Sequence, residues 1–466
     1  MQNSSELNAN VVAPLKNLFE NPVSRMVLKY LVRESKLKNA LEVHYGIKRP
    51  KNLKESFNAK FLGFFTDRAV KVFGGEKNEI IKEFIKNEYL RGIELVLRSI
   101  AEYGITIPQK LIAPFLVVWD YTSLCNLKCK HCYASAGKLK PDELTTEQRY
   151  EVIDQLDKAG VVAVAFSGGE PLMRKDFFEI AEYAKEKKMF VSIATNGTLI
   201  DERTAKALKK IGIDYVEISL DHSNPKIHDE FRGIKGAWKR TVRGIKNSVN
   251  AGICTGIATT VTKFNYDDVP NMIEFAKKLK VHTFIAFNFI PTRRGREIER
   301  NDITPEEREK LLNFLYDKLC ESDGLRVFST CPAYARISLE HAFKDRNMPI
   351  VPTHFADISL GDKTIALADF IGGCGAGRSY CSIEYNGDVQ PCVFIPIKLG
   401  NVLENGFENI WRKNEILEKL RNRELLKGPC GKCKYKYICG GCRARAFATT
   451  GDILESDYGC IVASSK

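Results

Sequence analysis

No stretch of eighteen consecutive apolar residues occurs in this chain, so no segment has the length and hydropathy of a membrane-crossing helix. The opening MQNSSELNAN lacks the basic and apolar regions of a secretory signal, which leads to the expectation of a cytoplasmic protein. Lys and Arg outnumber Asp and Glu by 71 to 58, yet no block of five or six like charges gathers that excess. It therefore reads as solvated surface, and no nucleic-acid partner is expected. Low-complexity tracts are absent, as are internal repeats beyond the strand–helix alternation described below.

What the chain has in abundance is cysteine, fourteen in 466 residues. Disulfide frameworks belong to small secreted domains, whereas most of these cysteines fall in two tight groups far apart in sequence, a pattern that suits metal or cluster ligation. In CNLKCKHC, Cys125, Cys129 and Cys132 stand at x3 and x2 spacing. The second group comprises Cys374, Cys381 and Cys392, then Cys430, Cys433, Cys439 and Cys442 in CGKCKYKYICGGC, then Cys460. Cys254, Cys320 and Cys331 stand alone, and a lone cysteine is usually a small buried hydrophobe. Cys331, between the two groups, is the least bland of these.

A chain this long predicts two or three domains. Residues 1–110 carry apolar residues at helical spacing, as in VVAPLKNLFENPVSRMVLKYLVRESK and ESFNAKFLGFF, with 19 Lys and Arg against 12 Asp and Glu. From Pro114 short apolar runs alternate with amphipathic segments: FLVVWDY, VVAVAFSGG, FVSIATNG, YVEISLD, CTGIATTVTK and TFIAFNFIP. Six strands, each followed by a helix or loop, imply parallel pairing, in a β/α barrel or an open doubly wound sheet. Either fold places its site at the strand C-termini, where Cys125, Gly168, Gly169, Asn196 and Asp221 fall. Residues 340–368 show no clear periodicity.

Three cysteines in the first group pose a chemical question. A zinc ion would require a fourth ligand, and His131, directly before Cys132, fits the same tetrahedron poorly. A [4Fe–4S] cluster on three thiolates instead leaves one iron open to a second molecule.

CNLKCKHC resembles the CxxxCxφC signature of radical S-adenosylmethionine (SAM) enzymes, with His131 at the position that packs on adenine. SGGEP at 167–171 resembles the GGE motif, in which Gly168, Gly169 and Glu170 hold the methionine amino group. TNGT with Asn196, EISLD with Ser219 toward ribose or carboxylate, and HDEFRG with Arg232 are also similar to the family. The resemblance implies a partial (β/α)6 barrel that cleaves SAM to a 5′-deoxyadenosyl radical, which takes hydrogen from an unactivated C–H bond. The C-terminal cysteines, with GDVQPC at 387–392, resemble the SPASM extension. That likeness implies one auxiliary [4Fe–4S] cluster on Cys374, Cys381, Cys392 and Cys442 and another on Cys430, Cys433, Cys439 and Cys460.

The expected organisation is an α/β chain: a helical domain over 1–110, a radical SAM core over 111–325, a connecting segment over 326–369 and a cysteine-rich Fe–S domain over 370–466. Its cofactors would be three [4Fe–4S] clusters and SAM, with ferredoxin or flavodoxin as a low-potential electron donor. Val393 follows Cys392 where sulfatase-maturating enzymes carry an Asp that serves as the base, so formylglycine formation is not expected. CGGCRARAFATTGD resembles enzymes that modify tetrapyrrole side chains, while the basic helical N-terminus and NAKFLGFF suggest a lipid substrate or contact with a membrane surface through 1–110. Peptide maturation is the alternative within the family. A non-catalytic electron carrier or a zinc-stabilised scaffold is the rival outside it, although a carrier has no need of SGGEP or an open iron.

Overall fold

The structure is a computed structural model and describes residues 19–32, 36–72, 87–321, 323–344, 350–353, 356–358 and 370–464. The described N-terminal residues include the helices α1 (Pro22–Leu31), α2 (Lys36–His44), α3 (Leu53–Val72) and α4 (Asn87–Tyr103). Asn21 starts α1 by accepting the Val23 N–H, with Pro22 in the first turn. The segment's described residues are largely helical, as the periodicity there predicts, α2 being an addition, and no strand occurs among them. Its apolar stripes face one another: Leu28, Leu31, Leu37, Leu41, Leu62, Leu90 and Ile100 share one buried cluster. Arg91 of α4 fastens this layer to the next through Asp157 at 2.8 Å and the Lys187 carbonyl at 2.9 Å. Of the four phenylalanines in and beside NAKFLGFF, Phe57 is 64% exposed and Phe61 packs against the cluster. The side chains of Phe64 and Phe65 lie outside the described residues, as do residues 1–18 and 73–86.

The central region alternates β1 (Leu116–Thr122), α5 (Thr146–Ala159), β2 (Ala163–Gly168), α6 (Phe177–Glu186), β3 (Phe190–Thr195), α7 (Glu202–Lys210) and β4 (Tyr215–Ser219). It continues with α8 (Pro225–Arg232), α9 (Ala237–Asn250), β5 (Thr255–Val261), α10 (Val269–Lys278), β6 (Thr283–Asn288) and α11 (Pro305–Cys320). All six sequence-predicted strands stand where expected. A seventh, β7 (Arg326–Ser329), pairs with β6 inside what the sequence suggested was connecting chain. β1 to β7 lie parallel in sequential order, without the reversal of a doubly wound sheet. Right-handed crossovers in that order put every helix on one face, as in a β/α barrel. The helix-facing side holds the main core, with Trp119, Phe166, Ile193, Ile218 and Ile257.

The opposite face carries the small side chains of Ala165, Ala194 and Ala258, where a filled barrel would hold bulky branched residues. This leaves room inside the curve of the sheet.

Beyond β7 come α12 (Ala333–Lys344) and a hairpin of β8 (Ile350–Thr353) and β9 (Ala356–Ile358). The C-terminal region then joins the central sheet: β10 (Tyr380–Ile383) pairs with β1 in parallel, and β11 (Asp388–Gln390) and β12 (Gly400–Asn401) extend it to ten strands. α13 (Phe407–Lys413), α14 (Glu415–Arg421) and α15 (Arg443–Thr450) follow.

Candidate active site: three groups of cysteines

Cys125, Cys129 and Cys132 lie in the loop that leaves β1, and all three contribute to one small apolar cluster with Leu127 and Ala237. The loop is anchored from three sides. Glu143 accepts the Ser123 N–H at 2.7 Å and the Thr122 hydroxyl at 2.9 Å, while the Lys128 and Lys130 N–H groups donate to the Arg232 and Phe231 carbonyls at 3.0 Å. Arg294, after β6, donates to the Cys129 carbonyl at 3.3 Å and the Ala136 carbonyl at 2.5 Å.

SGGEP closes the same region. Gly168 has φ +101°, and a Cβ on Gly169 would stand 2.1 Å from the Leu124 carbonyl oxygen. The glycines are therefore required by the chain's own cysteine loop, in addition to any ligand. Glu170 is fully buried and accepts from the Thr195 hydroxyl (2.8 Å), the Asn196 N–H (2.9 Å) and the Leu172 N–H (3.2 Å). Asn196 in turn donates to Asn126, next to Cys125, at 2.8 Å. Ser219 ends β4 on the inner face.

Arg232 donates to the Asp221 carboxylate at 2.5 Å and to the Cys129 sulfur at 3.6 Å. Burial alone would raise the Asp221 pKa, but Arg232, with His131 and His228 nearby, holds it below the usual carboxylate range. The His131 ring stacks on Phe231 with centroids 4.3 Å apart. Burial, reinforced by Arg232, brings its pKa down to about 3, and its buried Nδ1 has no partner among the described residues.

Three inner carboxyls are pushed up to about 7, chiefly by burial: Glu170, Asp120 at the end of β1 and Glu217 on β4. Groups poised there can hold or release a proton near neutrality. Asp120 accepts from Tyr133 at 3.1 Å, and the Tyr133 ring meets Phe394 of the C-terminal region edge-on at 5.1 Å.

The C-terminal cysteines form two groups. Cys430, Cys433, Cys439 and Cys460 line one cavity with about 390 Å3 of atom-free space, partly open to solvent. Cys374, Cys392 and Cys442 share an apolar cluster with Tyr133, Tyr380 and Ile395. Cys381 is not brought to that cluster and is fully buried in the main core. Among the lone cysteines, Cys254 is exposed, Cys320 is half-buried, and Cys331 is 4% exposed with its thiol raised to about 11 by burial.

These groups suit Fe–S ligation. All fourteen cysteines are free thiols. Backbone N–H groups donate to five of the sulfurs: Leu127 to Cys125, Asp457 to Cys430, Tyr435 to Cys433, Gly441 to Cys439 and Arg445 to Cys442, at 3.3–3.5 Å. Such bonds stabilise thiolate and tune cluster potential. A single zinc ion would draw its sulfurs to within about 4 Å of one another. Among the described residues no group of three or more side chains is gathered for one ion.

Sequence reasoning passed over Asn126, Tyr133, Glu217 and Arg294. Their signals were the position after Cys125, the end of the cysteine motif, the inner-face register of YVEISLD and the basic PTRRGR that leaves β6.

The sequence profile of the Radical SAM superfamily matches residues 119–276, and that of the SPASM iron–sulfur cluster-binding domain matches 374–434. The AdoMet-dependent heme synthase of Methanosarcina barkeri is 38% identical over 356 residues, covering 76% of this chain and 98% of that protein. The Fe-coproporphyrin III synthase of the same organism is 33% identical, covering 75% and 88%. Streptococcus suis SuiB bound to S-adenosylmethionine shares the fold, with a TM-score of 0.65 at 19% identity over 92% of this chain and 93% of that one.

The fold and the cysteine loop thus define a SAM-cleaving iron–sulfur enzyme. The chain belongs to the radical SAM superfamily and carries a SPASM domain. It binds SAM, a [4Fe–4S] cluster and auxiliary Fe–S clusters, which sets aside the carrier and zinc-scaffold readings.

Proposed function

We propose that this enzyme modifies a side chain of a tetrapyrrole by hydrogen-atom abstraction followed by oxidation. The observation that carries this reading is the 38% identity to a heme synthase across 98% of that protein's length. The small residues on the inner face add room for a bulky, flat substrate. When bound, the open-iron cluster and SAM supply the 5′-deoxyadenosyl radical, the hard part of the chemistry.

In this reading Cys125, Cys129 and Cys132 hold the first cluster, and the partnerless His131 edge faces adenine. Glu170 and the backbone at Gly168 and Gly169 receive the methionine end, with Asn196 and Ser219 beside it. Arg232 steadies the Cys129 thiolate. Asp120 and Glu217 line the substrate space and manage its protons. Cys430, Cys433, Cys439 and Cys460 would hold one auxiliary cluster, and Cys374, Cys392 and Cys442 would contribute to the other; bound there, the clusters would supply a route for electrons leaving the substrate. The functional divisions are 1–110, the core of 111–325 with β7 added to it, the rest of the connecting segment to 369, and 370–466; the chemistry is that of an oxidoreductase, and a ferredoxin or flavodoxin supplies electrons in the cytoplasm.

Glu170→Gln tests the SAM site. The three protein donors already on this carboxylate mean that the change also costs about 1–3 kcal/mol of stability through an unsatisfied buried group. We expect at least about a tenfold loss of SAM affinity, or about 1.4 kcal/mol, with first-cluster iron unchanged. Lower thermal stability with unaltered SAM affinity would leave Glu170 a purely structural tie.

Peptide maturation remains the second reading: the Mycolicibacterium smegmatis mycofactocin maturase MftC is 33% identical over 75% of this chain. It predicts SAM cleavage stimulated by a peptide and indifferent to a tetrapyrrole. A peripheral membrane role for 1–110 rests on its basic charge and on exposed Met26, Leu53 and Phe57. It predicts sedimentation of the full-length enzyme with anionic liposomes at low salt and release at high salt. An enzyme that ignores liposomes at low salt removes that role.

A further inference from the structure

The C-terminal cysteines do not all lie on one side of the sheet. Successive side chains of a strand point to opposite faces, so on β10 Tyr380 and Ser382 share one face and Cys381 and Ile383 the other. Hydrogen bonding to β1 on one side and β11 on the other makes β10 an internal strand, with no open edge past which a side chain could reach. Tyr380 faces the Cys374–Cys392–Cys442 cluster, where its hydroxyl accepts the Val393 N–H at 3.1 Å. Cys381 stands level with Val117 of β1 and is buried in the main core, to which Val117, Ile383, Val389 and Trp411 also belong.

Three further observations agree. Cys374 is within electrostatic range of both Cys392 and Cys442, whereas the charged neighbour of Cys381 is Arg421. Arg421 is itself fixed, stacked 4.4 Å from the Trp411 ring and donating to the Gly377 and Trp411 carbonyls at 3.1 and 2.8 Å. The other group is complete, with four cysteines around one cavity. A register shift of one residue would exchange the faces of Tyr380 and Cys381, but the pairing of β10 with β1 runs unbroken over four residues.

We propose that the auxiliary cluster on Cys374, Cys392 and Cys442 has only these three protein thiolates, that Cys381 is a core residue, and that the fourth iron takes an exogenous ligand. This inference rests on the Fe–S reading of the C-terminal region. The three-thiolate group borders the inner side of the sheet through Val118 and Tyr133, and Asp120 lies within electrostatic range of Cys392. The open position belongs to the substrate side of the enzyme.

The test uses the full-length protein reconstituted without air, with Cys125, Cys129 and Cys132 changed to Ala to remove the other open iron. We expect about eight irons per chain, two [4Fe–4S] signals on reduction, and a shift of one of them, with 13C coupling, on adding 13C-cyanide. Adding Cys381→Ser or Cys381→Ala to that background should change neither the iron content nor the shift. Loss of about four irons from a folded Cys381 variant would overturn the proposal. So would two auxiliary signals that both ignore cyanide, a result that needs no Cys381 variant. Failure of the underlying Fe–S reading looks different: zinc, or no metal, in the C-terminal region of the background protein.

Discussion

Replacing Cys125, Cys129 and Cys132 together with alanine should abolish SAM cleavage and lower iron from about twelve to about eight per chain, the remainder being auxiliary. The expectation follows from the separation of the cysteine groups. The first loop is held by Glu143, Arg294 and the end of α8, and its sulfurs share a cluster with Leu127 and Ala237. The C-terminal sulfurs sit in different packing units, reached through β10 and the chain after α14. They also have anchors besides the contact of Tyr133 with Phe394. Arg445 donates to the Phe289 carbonyl at 2.7 Å, and Arg308 to the Gly459 carbonyl at 2.9 Å, tying the SPASM region to the barrel without the first loop. Release of 5′-deoxyadenosine at the normal rate by this variant would place SAM elsewhere.

The second large effect concerns Cys430 and Cys439. Changing either to Ser should remove one auxiliary cluster and lower product formation by more than about tenfold, a barrier increase of about 1.4 kcal/mol, while SAM cleavage without product continues. The four cysteines of this group surround one cavity, and the Asp457 and Gly441 N–H groups point at the two sulfurs concerned, at 3.4 and 3.3 Å. In the proposed reading, removing a ligand leaves the first site its own cluster but takes away a path for the substrate electron. Circular dichroism and native mass spectrometry of the variant separate this outcome from collapse of the C-terminal fold. Product and SAM cleavage falling in parallel would mean that the cluster is needed for structure alone.

The six barrel strands were legible because each is a short apolar run that ends in a chemically informative residue, with an amphipathic segment behind it. β7 was not, since Arg326–Ser329 is four residues long and takes its place by pairing with β6. Nor could local pattern show that Tyr380–Ile383 would complete the sheet on the far side of β1, because that pairing spans more than 250 residues. The same limit governs Cys381: the resemblance to the SPASM extension groups it with Cys374, Cys392 and Cys442, and only strand register shows which face it occupies.

Glycine requirements were visible in SGGEP, but half of their cause was hidden. Gly169 makes way for the Leu124 carbonyl as well as for anything bound. The CGGCRAR arginines carry a different lesson. Arg443 and Arg445 are buried and bond to backbone carbonyls at Ile453, Glu455 and Phe289, so these two arginines of the motif that resembles tetrapyrrole enzymes hold the fold together. The apolar stripes of the N-terminal helices pack on one another, as amphipathic helices in globular proteins do, and leave Met26, Leu53 and Phe57 outside.

Mass spectrometry of an iron tetrapyrrole incubated without air with the reconstituted enzyme, SAM and a low-potential reductant tests the account most directly. The account predicts a tetrapyrrole of altered side-chain mass that accumulates in step with 5′-deoxyadenosine. A tetrapyrrole recovered unchanged while SAM is cleaved would contradict it.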